Sequence, residues 1–211
     1  SHLLAVGASQ ASYPAKSQEV RMTPQHQTLR RAAAAMGVAL SEAAVEKLLA
    51  YQALMIKWNR TINLTKVTAP AEAAVKHYAE SIFLAVHLPK NIQTLADIGS
   101  GPGFPGIPLS IVRPDISVTL VESDQRKAVF LRESGLPVLM QRAQSIHRRF
   151  DCLVSRAVDP DEIARLVGDS LPSLAPQAFM LIKERSTWNT IAHLPWDRSN
   201  VVATFHVEHI T

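Results

Sequence analysis

Asp97-Ile98-Gly99-Ser100-Gly101-Pro102-Gly103-Phe104-Pro105-Gly106 decides the fold of this 211-residue chain. Leu95 to Ile98 reads as a buried strand, glycines at alternate positions close it with a sharp turn, and Ile107 to Val112 reads as an apolar helix. A strand, a glycine turn and a helix N-terminus let a backbone approach a bulky nucleoside closely. A second short strand, Val118 to Val121, delivers Glu122 beside that turn, where a carboxylate can hold two ribose hydroxyls. The stretch predicts a nucleoside-cofactor pocket.

Outward from the turn, short strands and helices alternate. Strands are expected over Thr94–Ile98, Ser117–Glu122, Pro137–Met140, Asp151–Ser155, Phe179–Lys183 and Val201–Glu208, with helices over Asp124–Glu133 and Glu162–Val167. Such alternation implies an α/β fold, a doubly wound, mostly parallel sheet with helices on both faces. The ligand then belongs at the carboxyl ends of the strands. Gly99, Glu122, Gln144 and Arg156 each follow a strand, so four segments are expected to converge on one crevice.

The first third reads as helical. A helix is expected from Pro24 to Ala35, ended at Gly37. Ser41 is read as an N-cap with Glu42 in the favourable first turn, followed by an apolar stripe from Val45 to Trp58. A further helix is expected from Ala71 to Val86. The expected division is an N-terminal extension over 1–22, a helical N-terminal cap over 23–90 and a Rossmann-like domain over 91–211. Ser1-His2 reads as a cloning remnant and Met22 as a natural start.

Composition bounds the function classes. A chain that is 47% hydrophobic can bury one sizeable core, and no apolar run reaches the roughly 20 residues of a membrane span. Leu3 to Val6 lacks the basic flank of a signal peptide, and the single cysteine, Cys152, excludes an internal disulfide. A cytoplasmic protein is expected, with no membrane partner. Lys plus Arg number 22 against 18 Asp plus Glu, a mildly basic balance compatible with a polyanionic partner. Clusters at Arg30-Arg31, Arg126-Lys127 and Arg142 with Arg148-Arg149 could meet phosphate or simply form a solvated basic edge. The eight histidines lack a metal-ligand spacing, His206 and His209 being assigned to a terminal strand, so no metal is expected.

Gly101 to Gly106 also satisfies G-x-G-x-x-G, so a dinucleotide competes with S-adenosyl-L-methionine. Asp97 would repel a pyrophosphate but can meet the amino group of a methionyl moiety. Pro102, Pro105 and Pro108 remove N–H groups that phosphates would use. A sulfonium cofactor without phosphate suits this turn better, and Asp97, Gly99, Ser100, Gly101, Gly103 and Glu122 are the expected contacts.

Several segments then match one family in order: Trp58-Asn59-Arg60-Thr61-Ile62-Asn63-Leu64-Thr65, Lys76-His77 with Glu80-Ser81, the glycine turn through Leu109, Arg126-Lys127, Phe130-Leu131-Arg132, Phe150-Asp151 and Ser155-Arg156-Ala157. The chain resembles the glucose-inhibited division protein B family of bacterial methyltransferases acting on small-subunit ribosomal RNA, over roughly Ala50 to Lys183. The resemblance implies a class I S-adenosylmethionine-dependent methyltransferase fold with a helical N-terminal cap. It implies guanine N7 in 16S rRNA as methyl acceptor, with 16S rRNA or the 30S subunit as partner. It also implies cofactor contacts from Gly99 and Phe104, from Ala143-Gln144 beside the adenine and from Arg156 near the reacting end, with Glu122 as the ribose-binding acid. The chain departs from the family pattern at Glu80 (Asp preferred), Gln144 (Glu preferred), a shortened Phe130–Arg142 segment, Glu184-Arg185 after Lys183, and a divergent C-terminus.

Guanine N7 carries a lone pair and no proton, so its methylation needs alignment rather than a general base. Arg156 is the residue expected to position the base, through guanine O6 or a phosphate; a salt bridge to Asp151 or Asp159 is its structural alternative. Asn63, His77 and Lys183 are weaker candidates for RNA contact, with a helix-face histidine the competing account of His77. Tyr51, Trp58 and Cys152 read as core. A monomer is expected. Another RNA or small-molecule acceptor, and a non-catalytic cofactor- or RNA-binding module, remain as alternatives.

Overall fold

The computed structural model describes residues 23–66, 69, 74–168 and 173–207, with only the backbone of residues 74–76. The expected extension over 1–22, the helix start at Ala71, the strand end at Glu208, and His209 lie outside the described residues.

Seven strands form one sheet: β1 (Thr94–Ile98), β2 (Ser117–Val121), β3 (Val138–Leu139), β4 (Cys152–Ser155), β5 (Gln177–Lys183), β6 (Asn189–Leu194) and β7 (Asp197–His206), in the order β3-β2-β1-β4-β5-β7-β6. The five strands from β3 to β5 in that order run parallel, and β7 is antiparallel to both β5 and β6. This is a doubly wound, mostly parallel sheet. The order reverses between β1 and β4, the switch point at which a crevice opens beyond the carboxyl ends.

Period-two alternation sends side chains to two cores. Leu95, Leu120, Val154, Leu181 and Val202 face one side; Ala96, Val121, Leu153, Met180 and Ala203 face the other. On the first side they pack against α1 (Pro24–Ala34), α2 (Glu42–Asn59) and α3 (Glu80–Val86) through Leu29, Leu48, Met55 and Ile82. Each fully buried leucine or isoleucine contributes roughly 1.5–3 kcal/mol, so the helices of the first third share the core of the sheet. Three further helices are described: α4 (Gly106–Val112), α5 (Gln125–Arg132) and α6 (Pro160–Ala164).

Local chemistry sets the ends. Thr23 caps α1 with Pro24 in its first turn, and the Ser41 hydroxyl accepts from Ala44 N (3.2 Å) at the start of α2. Arg30 and Glu42 form an ion pair that ties the two helices together. After α2 the Asn59 side chain holds the chain reversal: its Oδ1 accepts from Leu64 N (2.8 Å) and Thr65 N (2.9 Å), and its Nδ2 donates to Thr65 O (3.0 Å). At the far end of the sheet one Asp151 oxygen accepts from Gln93 N and Thr94 N, both at 2.8 Å, joining the starts of β1 and β4.

Several expectations need correction. The expected single helix before Val86 divides into a π-helical turn, Ala74–Ala79, and α3. The helix expected over Glu162–Val167 starts earlier, at Pro160 under an Asp159 cap, and stops at Ala164. The expected last strand begins at Asp197, and a further strand, Asn189–Leu194, precedes it as the sheet edge. That strand is mostly exposed and its register with β7 shifts twice, which removes the alternation that marks a strand in sequence.

Candidate active site

β1 delivers the glycine turn. Gly99, Gly101 and Gly103 adopt φ values of 68°, 54° and 87°, the left-handed region that favours glycine. Gly106 is required for a different reason: a Cβ there would sit 2.6 Å from both Asp97 Oδ2 and Leu120 Cδ2.

The turn spends its own donors. Gly99 N and Ser100 N donate to Val121 O (2.9 and 3.0 Å), and Gly103 N and Phe104 N to Ser100 O (2.7 and 3.1 Å). Gly101 N donates to Glu122 Oε2 (2.9 Å) and Gly106 N to Asp97 Oδ2 (3.0 Å). Pro102 and Pro105 have no N–H. Every backbone N–H from Gly99 to Gly106 is therefore committed within the protein, and a pyrophosphate would find none of the donors a dinucleotide site supplies. The sequence pointed to the prolines; the carboxylates' hold on the glycine N–H groups was not visible in it.

Two carboxylates line the turn instead. Asp97 is fully buried, and with Oδ2 on Gly106 its Oδ1 has no hydrogen-bond partner among the described residues. Burial pushes its pKa up to about 7, against the Gly106 N–H and the Arg156 charge, which favour the anion. A buried acceptor of this kind suits an ammonium donor. Glu122 is buried at the end of β2, its second oxygen accepting from Asp124 N (2.8 Å). Each carboxylate oxygen has two lone pairs, so Glu122 keeps acceptor capacity for hydroxyls.

Ser100, expected as a cofactor contact, turns its hydroxyl into the protein. It is fully buried, and its hydroxyl donates to Asp97 O (2.9 Å) and accepts from Val121 N (3.2 Å), which makes it a staple between β1 and β2. Ala143 is buried and Gln144 exposed on the 3-10 turn Ala143–Ser145, and both line a cavity of about 310 Å³ that also touches Gly99 and Val121. A second cavity, about 510 Å³, is lined by Arg156, Val158 and the exposed Lys183. A further cavity, about 650 Å³, lies between α2 and α4 and is lined by Tyr51 and Ile107, both of which pack against Gly103.

Phe104 is the buried centre of the site. His77 stacks on it (ring centroids 4.5 Å, planes at 12°), Tyr78 meets it edge-on at 5.3 Å, and the Arg156 guanidinium carbon lies 5.5 Å from its ring centroid. Arg156 follows β4, whose end is tied to β1 by Ser155 Oγ donating to Ile98 O (2.8 Å). Its guanidinium donates to His77 Nδ1 (3.1 Å) and pairs with Glu80 Oε2 (3.5 Å). Burial draws the Arg156 pKa down, while Glu80 and Asp97 oppose that shift. Neither expected salt-bridge alternative forms, because Asp151 binds the start of β1 and Asp159 caps α6.

His77, a candidate for RNA contact, is only 4% exposed and faces Phe104, Arg156 and Thr65. Asn63 is exposed beside the Asn59-held reversal. The basic cluster divides. Arg142 and Arg148 are exposed, but Arg149 donates to Ser173 O, Ser173 Oγ and Gly168 O at 3.2, 3.0 and 2.9 Å. Tyr51, read as core, also donates from its hydroxyl to Pro102 O (2.8 Å). Cys152 is fully buried in β4, its thiol pKa pushed well up by burial, so it offers no nucleophile.

Among the described residues no helix is long and apolar enough to cross a membrane, and no group of His, Cys, Asp and Glu is arranged to hold a metal ion.

The comparisons with known proteins agree with this geometry. The family model described as rRNA small subunit methyltransferase G (GidB) matches residues 44–193. Ribosomal RNA small subunit methyltransferase G of Pelotomaculum thermopropionicum is 40% identical over 161 residues, covering 70% of this chain and 66% of that protein. The protein of that name from Neisseria meningitidis serogroup A is 32% identical over 160 residues, 76% of each chain. That from Xylella fastidiosa strain M23 is 45% identical over 129 residues, 57% of this chain and 60% of the relative. The chain thus spans between 60% and 76% of the length of these relatives. With the matched segment running from α2 through the glycine turn, Glu122 and Arg156 to β6, the chain belongs to the GidB family, that of rRNA small subunit methyltransferase G.

Proposed function

We propose that this chain is an S-adenosylmethionine-dependent methyltransferase that methylates N7 of a guanine in 16S rRNA. It acts as a cytoplasmic monomer on the naked rRNA or on the 30S subunit. The observation that carries the reading is the glycine turn: all its N–H groups are spent, and two buried carboxylates are presented in their place. That donor set rejects a pyrophosphate and accepts an amine and a pair of hydroxyls. Family membership supplies the substrate class, since the relatives are named for the small-subunit rRNA.

When bound, S-adenosylmethionine supplies an electrophilic methyl group on a sulfonium. Asp97 Oδ1 is the acceptor for its amino group, Glu122 for its ribose hydroxyls, and the cavity beside Ala143 and Gln144 takes the adenine. Gly101 keeps the backbone bare towards the ligand, Gly103 makes room for Ile107 and Tyr51 behind the turn, and Phe104 would wall the reacting end. Arg156 stands at the adjoining cavity with Lys183, where its guanidinium can hold guanine O6 or a flanking phosphate. Guanine N7 needs no proton removed, so these residues bind, orient and exclude water, and rate acceleration comes from alignment.

The test is methyl transfer from tritiated cofactor to 16S rRNA and 30S subunits that lack the modification, followed by mapping of the labelled base. Label on a guanine N7 of 16S rRNA is expected. No label in either acceptor, or label only in another RNA, overturns the proposal.

A further inference from the structure

The most densely bonded feature of the site begins outside it. Asn59, the last residue of α2, uses both ends of its amide to fix the reversal at Leu64 and Thr65. That places Thr65 Oγ1 3.1 Å from His77 Nε2. His77 rides on the π-helical turn, a local widening of the helix that often accompanies functional positions. Its other ring nitrogen, Nδ1, lies 3.1 Å from an Arg156 nitrogen.

The chemistry of these contacts fixes the histidine's state. A guanidinium only donates hydrogen bonds, so Nδ1 must be the bare acceptor and the ring proton sits on Nε2, where Thr65 Oγ1 accepts it. The ring is also stacked face to face with Phe104 at 4.5 Å and is only 4% exposed, which holds its plane. Glu80 holds the opposite side of the guanidinium at 3.5 Å. A carboxylate on one side and a neutral acceptor on the other orient the guanidinium.

We infer that His77 is a positioning residue: steadied by Thr65 and the Asn59 staple, its bare Nδ1 aims the Arg156 guanidinium across Phe104 at the acceptor end of the pocket. This deepens the methyltransferase reading and rests on it for the identity of the acceptor. It also gives the Trp58–Thr65 motif a task, since Asn59 and Thr65 form the base of the relay.

The full-length chain tests this in two ways. Long-range 1H–15N spectra of the wild type are expected to show His77 as the Nε2–H tautomer, with its Nδ1 resonance shifting in Arg156→Lys. An Nδ1–H tautomer overturns the inference without any reference to activity. In methyl transfer to 16S rRNA, His77→Phe keeps the ring stack but loses both hydrogen bonds, and should lower kcat roughly 10- to 100-fold while leaving S-adenosylmethionine affinity by calorimetry unchanged. His77→Asn restores an acceptor towards Arg156 and should recover most of that loss; Thr65→Val should lower kcat with the fold intact. Wild-type kcat in His77→Phe, or equal losses in the Phe and Asn variants, overturns the inference. If the wild type transfers no methyl to any rRNA yet shows the Nε2–H tautomer coupled to Arg156, the functional reading fails and the relay stands.

Discussion

Tyr51 of α2 donates its hydroxyl proton to the carbonyl of Pro102, 2.8 Å away, pinning the glycine turn to a helix from the first third of the chain. A turn built on left-handed glycines has little stiffness of its own. Tyr51→Phe keeps the ring and its edge contact with Phe104 at 6.1 Å, and removes only this bond. Urea unfolding should then show a loss of about 1 kcal/mol, and calorimetry a weaker S-adenosylmethionine affinity. Unchanged affinity would mean that the turn holds its shape without the helix.

Gly101 and Gly106 should separate occupancy from packing. A Cβ at Gly106 meets Asp97 and Leu120 at 2.6 Å, so Gly106→Ala is expected to destabilise the fold by roughly 1–3 kcal/mol through overpacking. At Gly101 the nearest atom to such a Cβ is Gly99 O at 3.8 Å, which leaves only the left-handed φ, a strain of about 1–2 kcal/mol. Gly101→Ala should fold and still lose cofactor binding, because the new methyl group enters space reserved for the ligand. Thermal melts with and without S-adenosylmethionine distinguish the two.

Asp97 should make both stability and cofactor affinity depend on pH. Burial lifts its pKa from the ordinary 3.8 to about 7 in the folded protein. Across that window the folded state keeps a proton that the unfolded chain has lost, so the Asp97 contribution to stability falls as pH rises. A bound ammonium favours the carboxylate, so near pH 7 binding should release a proton and tighten as pH rises. Calorimetry in buffers of differing ionisation heat measures that proton, and Asp97→Asn should abolish it.

Arg149 and Arg148 should behave differently despite their adjacency. Arg149 donates to the Ser173 and Gly168 carbonyls, whereas Arg148 is exposed, its guanidinium 4.9 Å from the Phe150 ring centroid. Arg149→Ala is expected to cost about 1.5–3 kcal/mol of folding stability, since hydrogen bonds to a charged group are lost. Arg148→Ala should leave stability nearly unchanged, with any effect confined to RNA affinity and its salt dependence. Chemical denaturation and filter binding test the pair.

Elements with strong local signals were readable in the chain. The alternation of β1, β2, β4 and β5, the Ser41 cap and the glycine turn each follow from propensity and spacing, which put Gly99, Glu122, Gln144 and Arg156 just beyond strand ends. Long-range pairings were not readable. The Tyr51–Pro102 bond links positions far apart in sequence, and a tyrosine on an apolar stripe looks like packing until its hydroxyl finds a partner. Ser100 and Arg149 look like ligand-binding types, but burial turned both towards backbone. His77 lacked a distinguishing signal, because its stack on Phe104 depends on how the cap meets the sheet. β6 was missed because an exposed edge strand with shifted register keeps no apolar alternation.

Asp151 lies at the opposite end of the sheet from the pocket, yet it sets the pocket's dimensions. With one carboxylate oxygen on Gln93 N and Thr94 N, it fixes where β4 begins relative to β1. Parallel strands climb at the same rate per residue, so a common starting line becomes a common finishing line, five residues along β1 and four along β4. Gly99 and Arg156 therefore emerge level with each other, like two rungs cut from one template. The reach between the cofactor turn and the acceptor-side arginine is thus a length measured out at the far end of the sheet, and a one-residue slip there would move Arg156 about 3.3 Å along the strand direction and turn it to the other face.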